Sequence, residues 1–163
     1  MNRMSSAIRN RLSLPAALCL LGLLPTAQAL QPNQPAPGFD ALAGLQGEVR
    51  LVDFWASWCG PCLQALPRYE ALRQEFHAQG FEVIGVDVDQ RPRDGEKLLQ
   101  TLHLSYPQVP DPQGKLAELY GVNGMPSSYL IDRKGQVRQM HVGFDNNDIE
   151  PLRKAVAQLV EEK

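Results

Sequence analysis

The chain has 163 residues, of which 44% are hydrophobic and 21% charged, with a formal net charge of −2. This length suffices for one domain with its own hydrophobic core, and the composition is ordinary for a globular protein. Beyond the N-terminus no cluster of basic residues occurs, so we do not expect the protein to bind nucleic acid.

A secretory signal peptide is predicted for residues 1–29. Three arginines precede the apolar stretch Leu12–Leu24, and Ala27-Gln28-Ala29 is a typical cleavage motif. The apolar stretch is shorter than the roughly 20 residues that a membrane span needs, so an uncleaved anchor is the less favoured alternative. Cleavage after Ala29 would change the net charge from −2 to −5. It would place the mature protein in the periplasm or outside the cell.

A third alternative for this segment is lipidation of Cys19. A lipoprotein signal has a small residue before its cysteine, whereas Leu18 precedes this one, so we do not expect a lipid anchor. Cleavage of the signal would remove Cys19 and leave only Cys59 and Cys62. A chain without a spare thiol suits an oxidising compartment.

Residues 30–163 are predicted to form one α/β domain. A buried strand, a helix and a second strand predict a parallel βαβ unit, and two later strands around Arg133-Lys134-Gly135 predict a hairpin. We therefore expect a mixed central sheet with helices on both faces. The predicted elements are the strand Val49–Ala56, the helix Pro61–Gln79, the strand Phe81–Asp89, the helix Gly95–Leu104, the irregular segment Tyr106–Pro112 with a short strand, the helical turns Lys115–Tyr120, the strands Ser127–Asp132 and Gln136–Val142, and a last helix capped by Asn147 or Asp148.

A Cys-x-x-Cys motif, Cys59-Gly60-Pro61-Cys62, lies where the first strand ends and the first helix begins. Its spacing brings both sulfurs to one side of the first helical turn, within reach of a disulfide. The unpaired N–H groups and the helix dipole favour an anion at this position. We therefore expect the pKa of Cys59 to lie below the free value of about 8.5, which makes its thiolate a nucleophile near neutral pH.

Two structural explanations of the motif are less favoured. A zinc site needs about four ligands, but His77, His103 and His141 are scattered singly and are expected to be surface residues. A purely structural disulfide is not expected at this spacing, because so small a loop constrains the unfolded chain little. We expect no metal, and three acids that could suggest one are expected to be solvated: Asp87, Asp89 and Asp111.

Three stretches of the chain carry a family resemblance. Residues 52–62, Val-Asp-Phe-Trp-Ala-Ser-Trp-Cys-Gly-Pro-Cys, match an active-site strand and turn, and Pro67 matches a helix-kinking proline. Residues 122–132, Val-Asn-Gly-Met-Pro-Ser-Ser-Tyr-Leu-Ile-Asp, match a cis-proline segment. From about Pro35 to Glu161 the chain resembles the thioredoxin superfamily. It is most similar to the TlpA/ResA-like branch of periplasmic or secreted thiol-disulfide oxidoreductases, whose helical insertion corresponds to the helix after Asp89.

The resemblance implies a thioredoxin-like fold and a role for each residue of the site. Cys59 would attack a substrate disulfide, and the more buried Cys62 would resolve the mixed disulfide. Pro126 would follow a cis peptide bond, so that the Met125 backbone pairs with an extended substrate. The substrate surface would also include Trp58, Gly60 and Pro61.

Asp53 lies six residues before Cys59 on an apolar strand, where a carboxylate is costly unless it is paired or protonated. We expect it to accept a proton from Cys62, with a pKa raised by desolvation. The alternative is an acid at a strand end that reaches solvent.

The resulting functional prediction is an extracytoplasmic disulfide reductase. It would need no cofactor beyond the Cys59–Cys62 disulfide, would act as a monomer on protein disulfides, and would receive electrons from a membrane donor. The alternatives are a periplasmic oxidant, a cytochrome-c-maturation protein or a copper-delivery protein. A cytochrome-c-maturation protein would be expected to have a glutamate soon after the cis-proline, where Ser127-Ser128 stands here, and a strong oxidant would have a histidine within the motif. A peroxidase is not expected, because its Pro-x-x-x-Thr-x-x-Cys context is missing from the sequence.

Overall fold

The computed structural model describes residues Leu30–Glu162, and the predicted signal peptide lies outside them. Five strands and four α-helices follow one another in this part of the chain. They are β1 (Val49–Trp55), α1 (Gly60–Phe76), β2 (Phe81–Asp87), α2 (Pro92–Leu102), β3 (Gln108–Pro110), α3 (Lys115–Tyr120), β4 (Ser127–Ile131), β5 (Val137–Val142) and α4 (Ile149–Glu161). Among these described residues, no helix is long and apolar enough to cross a membrane.

The strands form one mixed sheet in the order β3-β2-β1-β4-β5. β1 is parallel to β2, and β2 to β3, as expected for strands joined by the crossover helices α1 and α2. β1 and β5 both pair antiparallel with β4. The predicted mixed sheet with helices on both faces is confirmed, and it is a thioredoxin-like fold.

Alternation along β1 divides the core into two layers. Val49, Leu51 and Trp55 pack with α1 and α4 on one face of the sheet. Val52 and Phe54 pack with α3 on the opposite face. Because residues 49–55 are buried on both faces, β1 is the central strand that its apolar sequence predicts.

Several predicted boundaries differ from the observed ones. β2 ends at Asp87 instead of Asp89, and α2 begins at Pro92 instead of Gly95, since proline fits the first turn of a helix. Asp148 is the N-cap residue of α4, as predicted, but its side chain makes no cap hydrogen bond to α4. The short 3-10 turn just before α4 is capped by Asp145. The Asp145 carboxylate accepts a hydrogen bond from the Asn147 N–H, and Asp148 accepts one from the Asp145 N–H. Asp145 and Asp148 thus cap the start of this turn reciprocally, as in a capping box.

Candidate active site

The cysteine pair lies at the junction of β1 and α1, as predicted. Cys59 is the N-cap of α1, and its sulfur accepts a hydrogen bond from the Cys62 N–H at 3.3 Å. The two cysteines form a disulfide across 5.2 Å between their Cα atoms. Cys59 is 5% exposed and Cys62 fully buried, so only Cys59 can be approached from solvent.

The peptide bond between Met125 and Pro126 is cis, as the resemblance implies. Pro126 comes directly before β4, and its neighbour Ser127 pairs with Phe54 near the end of β1. The proline therefore lies at the same end of the sheet as the cysteine pair. The Pro126 carbonyl accepts a hydrogen bond from Gly143 at 2.8 Å, which ties this loop to the chain after β5.

Trp58 is the most exposed large hydrophobic side chain of the described residues, at 70%. Gly60 and Pro61 are also exposed, whereas Met125 is partly buried against both core layers. Trp55, three residues earlier, is fully buried, as expected for a core residue.

Asp53 is fully buried in the layer that holds Leu51, Trp55 and Cys62. Neither of its carboxylate oxygens has a hydrogen-bond partner among the described residues. Burial raises the pKa of Asp53 well above its ordinary value, because a charge in this layer would lose its hydration. The alternative in which this acid reaches solvent is wrong.

The residues that pair with Asp53 on the neighbouring strands are Gly85 on β2 and Ser128 on β4. A side chain at Gly85 would collide with the Oε1 of Gln108. Gln108 thus fills the space over Gly85, and its Oε1 accepts a hydrogen bond from the Trp55 indole at 2.9 Å. Its Nε2 has no partner among the described residues.

A buried acidic pair supports the loop between β1 and α1. The Asp89 carboxylate accepts hydrogen bonds from the N–H and the hydroxyl of Ser57, at 2.8 and 3.0 Å. Asp87 in turn accepts a bond from the Asp89 N–H at 2.9 Å. Burial raises the pKa of Asp87 to about 6. The pair thereby positions the segment two residues before Cys59.

The expectation that Asp87, Asp89 and Asp111 are solvated is wrong. All three are at most 5% exposed, and they are buried because each accepts a hydrogen bond from a nearby backbone N–H. Within Leu30–Glu162, no group of three or more acidic, histidine or cysteine side chains could hold a metal ion.

Sequence reasoning missed Ser57, Gln108, Tyr69 and Ser128 as neighbours of the predicted site. Ser128 could have been found, because the order of the predicted strands and their alternation would bring it beside Asp53. Gln108 lies in the short strand β3, where no hydrophobic pattern predicts which way a side chain points.

Comparison with known proteins identifies the family. Residues 34–140 match the model of the AhpC/TSA family. The thiol-disulfide oxidoreductase ResA of Geobacillus thermodenitrificans is 33% identical over 125 residues, which cover 71% of each chain. The thioredoxin-like protein YneN of Bacillus subtilis is 31% identical over 126 residues, covering 70% of this chain and 73% of YneN.

A solved structure from Chlorobium tepidum, provisionally assigned as a thiol:disulfide interchange protein DsbE, superposes with a TM-score of 0.79. It is 37% identical, and the match covers 81% of this chain and 99% of that one. The chain therefore belongs to the AhpC/TSA family of thioredoxin-fold proteins and is a thiol-disulfide oxidoreductase of the ResA and DsbE type.

Proposed function

We propose that this protein is an extracytoplasmic disulfide reductase that acts on protein substrates through Cys59 and Cys62. The observation that carries the proposal is a cysteine pair of unequal exposure on the same face of the sheet as a buried carboxyl group. Cys59, at the N-terminus of α1, is the cysteine that solvent reaches, while Cys62 and Asp53 are fully buried on the same side of the sheet.

The geometry supports a two-step exchange. The Cys59 thiolate attacks a substrate disulfide, and one substrate sulfur leaves as a thiolate. Cys62 then loses its proton to the Asp53 carboxylate and attacks Cys59, which releases the second substrate thiolate and forms the Cys59–Cys62 disulfide. A carboxylate that burial has made more basic is suited to take this proton.

A membrane electron donor then reduces the disulfide again. A thiolate of the donor attacks Cys59, Cys62 leaves as a thiolate, and Asp53 returns the proton to it. A second thiol of the donor then attacks the mixed disulfide at the donor sulfur, which releases the Cys59 thiolate and leaves the donor oxidised to a disulfide. The same carboxyl group thus acts as base in one direction and as acid in the other.

The cis-proline loop supports an extended protein substrate. Within the described residues, the N–H and C=O of Met125 make no backbone hydrogen bond, so both are available to a substrate strand. The exposed Trp58 ring would cover the apolar side chains of that strand. We propose that the protein works as a monomer in the periplasm or outside the cell, which rests on the signal pattern in residues 1–29.

Trapping of reaction partners tests the exchange mechanism. In the Cys62→Ser variant the resolving thiol is missing, so mixed disulfides between Cys59 and substrate should accumulate and run as reducible adducts on non-reducing gels. The matched Cys59→Ser variant keeps one cysteine of the pair but should trap nothing. Adducts of equal yield in both variants would show that Cys59 is not the attacking residue.

A further inference from the structure

A polar row crosses the sheet below the cysteine pair and ends at the surface. Asp53 on β1 pairs with Ser128 on β4, and Ser128 pairs with His141 on β5. Residues directly opposite each other on adjacent strands have their side chains on the same face, with Cβ atoms about 5 Å apart. The row therefore runs from a fully buried carboxyl group, through a hydroxyl group, to an imidazole that is 47% exposed.

A cavity of about 340 Å³ opens along this row, between the β4–β5 hairpin and the start of α4. Ser128, His141, Tyr69 and Asp148 line it. The Tyr69 phenol lines the same cavity as Ser128, and its pKa is raised by burial and by the nearby charges of Asp53 and Asp148. Apolar side chains such as Leu51, Leu130 and Leu152 also line this cavity. Its polar side chains can hold water between the neighbourhood of Asp53 and solvent.

The other charged groups near the row Asp53-Ser128-His141 form ion pairs. At the mouth of the cavity the His141 Nε2 lies 3.0 Å from the Asp148 carboxylate. Arg138, further along β5, pairs with Asp132 and Glu162. On the opposite side of Asp53, the buried phenol of Tyr106 has its pKa raised by burial and by Asp53.

The proposed exchange cycle requires a route by which the proton on Asp53 can reach solvent. Asp53 is buried without a partner, so in the resting reduced protein its carboxyl group takes up a proton from water. That proton must leave before Asp53 can accept the one from Cys62. Cys62 itself is fully buried, so the cysteine side of Asp53 gives no direct contact with solvent.

We propose that Asp53 exchanges its proton with solvent along the polar row, through the Ser128 and Tyr69 hydroxyls and cavity water, with His141 as the proton-exchanging group at the surface. This inference rests on the proposed function, because it assigns the route for the proton that the exchange mechanism moves. Ser128 and His141 act on the exchange reaction through Asp53, as positioning residues. The proton that leaves the carboxyl group is taken up by the imidazole and passed to water, so no bond other than O–H and N–H bonds changes.

The test is the single-turnover oxidation of the reduced protein by insulin disulfides in weakly buffered solution, followed by acid quenching and thiol alkylation. His141→Gln keeps a polar side chain but cannot exchange a proton, and should slow the turnover about tenfold. Imidazole added to the solution should restore the rate, because a small base can replace the lost group at the cavity mouth. Ser128→Ala should also slow the turnover, but imidazole should not restore it, because the interruption then lies inside the protein.

The matched control is His77→Gln. His77 is also half-exposed and also lies near a carboxylate, Glu82, at 3.4 Å, but it is outside the cavity and should react like the wild type. The reduction potential of the pair should be unchanged in His141→Gln, since a route alters rates and not equilibria.

Two outcomes overturn the proposed route. If His141→Gln reacts as fast as the wild type, or if its slow turnover is not restored by imidazole, the row does not carry the proton. That result would leave the exchange mechanism intact as long as Cys62→Ser still traps substrate. If Cys59→Ser reduces insulin, the proposed function itself is wrong, and the proposed proton route is then wrong as well.

Discussion

Replacing Asp53 by asparagine should change both the pH dependence of stability and the rate of the second exchange step. The side chains have nearly the same shape, but only the carboxyl group can ionise. Because burial raises the pKa of Asp53 in the folded protein, the folded state holds this proton at pH values where the unfolded chain has lost it.

The sign and size of the stability effect follow from this difference. A raised folded pKa gives a stability contribution that is fully present below the unfolded pKa of about 4 and is lost as the pH rises to the folded value. Over that range the free energy of unfolding of the wild type should fall, relative to Asp53→Asn, by about 1.4 kcal/mol per pH unit. Above the folded pKa the difference in stability between wild type and variant becomes constant.

The assay is guanidinium unfolding of the oxidised wild type and the variant over a series of pH values. The exposed Asp40→Asn variant controls for the loss of an acidic side chain. In parallel, the resolution of the mixed disulfide in Asp53→Asn should slow about 100-fold, a typical contribution of a general base. If the stability curves of wild type and variant run parallel from acidic to alkaline pH, the carboxyl group is not held protonated by burial and the reasoning fails.

Three further predictions concern the surroundings of the site. Gly95→Ala introduces a methyl group that would collide with Asp87 Oδ2, so it should lower the free energy of unfolding by about 1–3 kcal/mol in denaturant titrations. A more stable variant would contradict the packing described. Asp89→Ala removes the acceptor of both Ser57 bonds and should cost about 1–3 kcal/mol, with slower disulfide exchange in the insulin assay; an unchanged rate would show that the loop needs no such support. Trp58→Ala should change stability by less than about 0.5 kcal/mol because the ring is exposed, yet slow the reduction of insulin more than that of a small disulfide; an equal effect on both would argue against a protein-binding role.

Much of the fold could be predicted from the sequence because its signals are local. The apolar run of β1, the Cys-x-x-Cys motif and the glycines and prolines at element ends each depend on a few adjacent residues. Strand Val49–Ala56 and helix Pro61–Gln79 were therefore predicted to within a few residues of their observed bounds. The cysteine pair follows from the same local pattern.

The surroundings of the cysteines could not be predicted in the same way, because they depend on strand register and on loops. Asp87 and Asp89 look like solvated acids in the sequence, and only the fold shows that they receive backbone and Ser57 N–H groups. Likewise, the neighbourhood of Asp53 and His141 requires the pairing of β4 with both β1 and β5. These residues lie 88 positions apart in the chain, and no local pattern connects them.

The reduction potential of the Cys59–Cys62 pair tests the proposed direction of electron flow most directly. The purified protein would be equilibrated with glutathione or dithiothreitol buffers of known potential, and the fraction of free thiol measured by alkylation. A reductase should have a potential near that of thioredoxin, roughly −270 mV. A potential near roughly −120 mV would mean that the reduced form is strongly stabilised and that the protein donates disulfides, which would contradict the proposed role as a reductase.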